Sequence, residues 1–240
     1  MKQYTFRTIG YTEALQYAAQ YLHQSGWWSA PDGEFIILPV PSFDINGHII
    51  GTDRETVLPP SCTVFGGNLP SPQFSAHNAV DLLQDPIYLA KNAAITAHCA
   101  VKLAMNELPI TLSECAVLVI GWGRIGKYLA SLLKNMGADV TVAARNPADR
   151  AMLLALGYHA VSIDAADPSV YRLIYNTVPA MLLPSCPGQS LKIDLASKPG
   201  LNGSNLIHAR GLPNRYAPES SGKLIADSII RITTGKEQTK

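Results

Sequence analysis

"VLVIGWGRIGKYLA", residues Val117 to Ala130, decides the fold. The apolar run that ends here, Cys115 to Ile120, reads as a strand buried on both faces, as parallel sheets require. Gly121-Trp122-Gly123-Arg124-Ile125-Gly126 follows as G-x-G-x-x-G. In that pattern the first glycine permits the tight turn, the second lets a pyrophosphate approach the backbone, and the third lets the helix sit close to the strand. The free N–H groups and positive end of the helix then favour phosphate charge. A glycine turn alone is a weak signal; the strand before it and the helix after it supply the context that makes it a dinucleotide turn.

Strand–helix alternation continues downstream, which implies a parallel sheet with right-handed crossovers. Ile125, Tyr128, Leu129, Leu132, Leu133 and Met136 recur at helical spacing until Gly137 ends the helix. "DVTVAA" is the second strand, and "NPADRAMLLALG" a helix with Asn146 as its cap and Pro147 in its first turn. "YHAVSI", "LIYNT", "LKIDLA" and "NLIHA" are further strands, and a last helix covers about 217–234. Upstream, Leu15, Ala18, Ala19 and Leu22 form one helical stripe. "EFIILPV" and "CTVFGG" read as short buried strands among Pro-rich loops. A long helix from Pro86 to Leu108 carries Ala90, Ala94, Ala97, Val101, Ala104 and Leu108 on one side.

The fold class expected is α/β. A doubly wound, Rossmann-type dinucleotide domain spans 110–240 and a smaller α/β domain spans 1–85, with a cleft between them. The bridging helix and its linker, 86–109, join the two. The chain is 47% apolar and 15% charged with a net charge of +1, which suits a compact fold and gives no electrostatic case for nucleic acid or an anionic membrane. No apolar run approaches a membrane span, and "MKQYTFRTIG" lacks a signal-peptide core. Cys62, Cys99, Cys115 and Cys186 are too scattered for a zinc or redox motif, so buried thiols in a reducing cytoplasm are expected. No histidine pair has metal-ligand spacing, and no metal is expected.

The end of the second strand selects the cofactor. NAD-binding units place an Asp or Glu there for the ribose 2′-OH. Here Ala144 stands in that place, followed by Arg145 and Asn146. Nothing repels a 2′-phosphate and Arg145 can pair with it, so NADP is expected ahead of NAD. The far end of the cofactor should lie by three strand ends. These are Asn176-Thr177-Val178-Pro179, then Asp194 to Gly200 (with Ser197 and Lys198), then Gly211 to Pro218.

These segments together carry a family resemblance. "VLVIGWGRIG", "TVAARN", "YNTVPAMLL", "IDLASKPG" and "GLPNRYAPESSG", in that order, resemble the A subunit of dipicolinate synthase. "FIILPVP", "CTVFGG" and "LAKNAAITAHCAV" are similar to that family's N-terminal domain and bridging helix. The resemblance implies an NADP-linked oxidation of a dihydro- or hydroxytetrahydro-dipicolinate to dipicolinate during sporulation. It also implies a partner, the family's flavoprotein-like B subunit. Three departures stand out. The N-terminal third is shorter, so its first βαβ portion is expected to be pared down. Thr96 and Ala97 are followed by His98 and Cys99 where the family reads TAEG, and Asn214 replaces the last glycine of GLPG.

A dicarboxylate substrate needs cations, and its oxidation needs a hydride acceptor and a proton acceptor. Lys198 and Arg215 are the cation candidates, and each also reads as an ordinary loop charge. His98 is a proton-transfer candidate or part of a solvated helix face. Asn176, Thr177, Val178, Pro179 and Asp194 are candidates for holding the cofactor, or for turn capping and loop bonding. Ser42 and Ser197 are candidates for substrate. A homo-oligomer is expected, with Trp27-Trp28 as packing or contact residues. The rival functions are a dehydrogenase of another small carboxylic acid and a non-catalytic NADP-binding protein or redox sensor.

Overall fold

The computed structural model describes residues 3–52, 62–69, 74, 77–181 and 189–235. Cys186 lies outside them. The chain divides into two compact units, Met1–Asn92 with Pro213–Lys240, and Ala93–Leu212.

The first unit holds a parallel five-stranded sheet in the order β2-β1-β3-β4-β5. Its strands are β1 (Thr5–Thr8), β2 (Trp28–Ser29), β3 (Phe35–Ile37), β4 (Thr63–Gly66) and β5 (Asn78–Asp81). β3 and β4 fulfil the expected buried strands, while β1, β2 and β5 are additional. Helix α1 (Glu13–Gln24) is capped by Thr12, whose hydroxyl accepts from the Leu15 N–H, and it buries Ala14, Leu15, Ala18 and Leu22. A core of Ile36, Leu38, Ile49, Cys62, Val64 and Phe74 covers one sheet face.

The second unit is a parallel six-stranded sheet in the order β11-β10-β9-β6-β7-β8. The strands are β6 (Ala116–Ile120), β7 (Asp139–Ala143), β8 (His159–Val161), β9 (Leu173–Asn176), β10 (Leu191–Asp194) and β11 (Leu206–His208). This is the doubly wound dinucleotide order, with its switch point between β6 and β9. Helix α2 (Pro86–Glu107) runs from one unit into the other, and α3 (Arg124–Asn135) and α4 (Pro147–Ala155) cross between strands. No helix among the described residues is long and apolar enough to cross a membrane.

One boundary differs from the sequence reading. The short helix α5 (Leu212–Tyr216) leads into α6 (Pro218–Thr234), and α6 packs on α1 in the first unit rather than closing the dinucleotide unit. The reason is local. Gly222 lets α6 approach so closely that a Cβ there would strike the Ala14 carbonyl and Tyr17. The Tyr21 hydroxyl bonds to Glu219 at 3.0 Å, and Arg231 pairs with Asp85, which also caps α2. Periodicity shows that a helix has an apolar stripe but not which surface receives it.

Candidate nucleotide site

The glycine turn lies at the carboxyl end of β6, beside that of β9. Gly121 has φ +106°, and a Cβ on it would collide with the Thr177 hydroxyl oxygen and crowd Val178. A Cβ on Gly126 would collide with the Gly121 carbonyl oxygen, a backbone atom that has nowhere to go. Gly123 meets nothing: a Cβ there would have no heavy atom within 4 Å. Gly123 is also the N-cap of α3 and offers no side-chain acceptor to the first-turn N–H groups. The turn is therefore closed where helix meets strand and open where a phosphate would sit, so these residues fit a dinucleotide pyrophosphate.

Around the turn the other residues divide into those that hold the backbone and those that reach solvent. Arg124 is exposed and Ile125 half-buried. Trp122 lies back against the protein, its ring 5.9 Å from that of Tyr158 and 5.8 Å from the Lys127 ammonium. Its buried indole N–H has no partner among the described residues. Ala144 is buried. Arg145 is exposed, and Asn146 caps α4 by accepting from the Ala148 N–H at 2.9 Å.

Asn176 and Asp194, expected at the cofactor, are positioned otherwise. Both are almost fully buried. The Asn176 amide donates to Asp194 (2.9 Å) and the Val178 carbonyl (3.0 Å), and its oxygen accepts from the Val178 N–H (3.0 Å). The Asp194 carboxylate also accepts from the N–H groups of Ala196 (3.1 Å), Gly200 (2.7 Å) and Leu201 (3.3 Å). These two side chains are consumed in fixing the loops after β9 and β10. Thr177 is likewise engaged, its hydroxyl donating to the Ile120 carbonyl at 2.9 Å and so binding the β9 end to the β6 end. The loop they hold carries Ser197 and Lys198, both exposed, and Pro179 is exposed beside the half-buried Val178.

Ser42 needs a correction. It is fully buried, and its hydroxyl donates to the Pro39 carbonyl (2.8 Å) and accepts from the Gly67 N–H (2.9 Å). It closes a turn instead of facing a substrate. His98 is exposed on α2 and belongs to the second unit, as does Lys198. Arg215 is exposed on α5, in the first unit, 5.3 Å from the Tyr216 ring. Sequence reasoning missed Arg150, whose guanidinium donates to the carbonyls of Ala144 (2.9 Å) and Arg145 (2.8 Å). The available signal was a second arginine just over one helical turn after Arg145. Among the described residues no three metal-ligating side chains cluster.

Comparison with known proteins places this geometry. Residues 117–175 match the TrkA-N domain. No curated protein matches by sequence. The A subunit of dipicolinate synthase from Bacillus halodurans superposes with a TM-score of 0.82 at 22% identity, over 95% of this chain and 97% of that one. Its counterpart from Bacillus subtilis gives 0.82 at 21% identity, over 98% and 97%. A transhydrogenase from Sinorhizobium meliloti gives 0.66 at 14% identity, over 90% and 80%. The chain is thus a two-unit α/β protein with a Rossmann-type nucleotide-binding unit, and its fold is that of the dipicolinate synthase A subunit.

Proposed function

We propose that the chain is an NADP-dependent oxidoreductase that converts a dihydro-dipicolinate, or a hydroxytetrahydro-dipicolinate that also loses its hydroxyl as water, to dipicolinate, working with a B-type subunit in a cytoplasmic setting. The observation that carries the reading is the glycine turn at the β6–β9 switch point, open at Gly123 and sealed at Gly121 and Gly126, in a chain that follows the dipicolinate synthase fold over 95–98% of its length. The free thiols of Cys99 and Cys115 agree with a reducing compartment.

When bound, the nicotinamide accepts the hydride that the substrate loses. The protein's part is placement, which is where much of a hydride-transfer enzyme's effect lies. Backbone N–H groups at Gly123 and the start of α3 hold the pyrophosphate. Arg145 pairs with the 2′-phosphate, with no acid at 144–146 to oppose it. Thr177, Val178 and Pro179 shape the nicotinamide end. Lys198, presented by the Asp194-bound loop, pairs with a substrate carboxylate. His98 takes the proton released as the ring becomes aromatic.

The test is dipicolinate formation from freshly generated hydroxytetrahydrodipicolinate, with NADP+ or NAD+, with and without a B-type partner. Product with NADP+ is expected. A protein that binds NADP(H) but makes no product in any combination would shift the function to another carboxylic acid or to sensing.

A further inference from the structure

We propose that Arg150 is a specificity-determining residue for the cofactor, its guanidinium closing with that of Arg145 on the 2′-phosphate. The inference rests on the reading of the β7–α4 turn as the adenosine-ribose end of the site.

Arg150 is half-buried on the first turns of α4 and folds back over the end of β7. A single nitrogen, Nη1, serves both carbonyls, Ala144 at 2.9 Å and Arg145 at 2.8 Å. Its Nε and Nη2 donors make no hydrogen bond among the described residues. The side chain is therefore fixed at the turn before any ligand arrives, with N–H groups still to give. Ordering a long side chain is a large part of the cost of binding with arginine, and here the backbone carbonyls have already met it.

Charge at the turn points the same way. Arg145 and Arg150 form no ion pair among the described residues. The one acid close in sequence is Asp149, in the first turn of α4 where the helix end favours it. Asn146 already spends its side-chain oxygen on the helix cap. Two permanent cations with spare donors, and no carboxylate to accept from a 2′-OH, match a phosphate dianion and offer a plain ribose nothing.

The experiment is titration of the full chain with NADPH and NADH, by nucleotide fluorescence, for wild type, Arg150→Met, Arg150→Lys and Arg145→Met. Loss of a charge-assisted hydrogen bond predicts that R150M weakens NADPH about 10- to 100-fold and leaves NADH within about twofold. An equal loss for both nucleotides would make Arg150 a structural prop and overturn the proposal, as would no change in either. Should R150M fail to fold, R150K decides. An ammonium cannot reproduce the planar fork that holds two carbonyls and a phosphate together, so NADPH affinity falls at least about threefold relative to NADH. An unchanged ratio in R150K would overturn the proposal. If R145M loses NADPH preference while R150M keeps it, the cofactor reading stands and the role of Arg150 falls. If wild type binds NADH as well as NADPH, the cofactor reading falls with it.

Discussion

Asp194→Asn probes the network that shapes the site. The carboxylate is 1% exposed and accepts four hydrogen bonds, from the Asn176 amide and Ala196 N–H on one oxygen and from the Gly200 and Leu201 N–H groups on the other. Asparagine keeps one acceptor but turns an NH2 toward the other pair of donors, so two buried N–H groups lose their partner. Hydrogen bonds to charged groups contribute about 1.5–3 kcal/mol each, and counting the short Gly200 bond over that range and the longer Leu201 bond at the low end gives about 3–4.5 kcal/mol. For a chain of this size that lowers Tm by about 6–18 °C. Thermal melts at neutral pH followed by circular dichroism read the change. A fall of less than about 2 °C would refute the reasoning, because it would mean the loop is not held by this carboxylate. Asn176→Ala and the double variant complete the cycle. The two side chains touch, so their effects must be non-additive by about 0.5–3 kcal/mol.

Three further outcomes follow from the same geometry. Gly126→Ala drives a methyl group into the Gly121 carbonyl, so nucleotide-induced stabilisation is lost even where the variant still folds; retained NADPH stabilisation would contradict the role given to the turn. Lys198→Gln, on an exposed loop tip, leaves Tm and NADPH affinity unchanged and raises KM for the dicarboxylate about 10-fold or more, in line with one charge-assisted contact; an unaltered KM would remove Lys198 from the substrate site. Burial pushes the thiols of Cys99 and Cys115 and the phenol of Tyr175 upward, so these groups ionise first in the unfolded chain. The unfolded state then binds fewer protons than the native state above the ordinary thiol value of about 8.5, and stability falls as pH rises through that range. Urea midpoints at pH 7.5 and 9.5 should show the drop, which should shrink in a Cys99→Ala, Cys115→Ala variant; a midpoint that rises with pH would contradict it.

Much of the second unit was legible because its physics is local. Its strands are short apolar runs, its helices carry periodic stripes, and Asn146 and Gly137 mark helix ends by chemistry that acts within a few residues. The first unit was less so. β1 reads TFRT with only Phe6 buried, and β5 reads NAVD with neither apolar residue buried, so neither has the continuous apolar signal of β3 or β4. These strands are specified by partners distant in sequence. The docking of α6 is equally non-local, since it depends on the Gly222 contact with α1 and on the Arg231–Asp85 pair. The site shows the same division. The glycine turn was readable as a motif, whereas a polar residue at a strand end has two futures that sequence does not separate. Asn176, Asp194 and Ser42 turned inward and satisfied buried backbone groups. Lys198 and Arg145 remained exposed at loop positions, where long charged side chains are least costly to leave.

The central claim is that the turn from Gly121 to Gly126 holds a dinucleotide and that the β7–α4 turn prefers the 2′-phosphorylated form. The most direct measurement is thermal stabilisation of the unmodified chain by NADPH and by NADH at matched concentrations. At 100-fold excess over Kd a bound nucleotide adds about 2.7 kcal/mol, which raises Tm by about 5–11 °C. The account predicts that shift with NADPH at a concentration where NADH gives little. Equal shifts would contradict the preference, and no shift with either nucleotide would contradict the site itself.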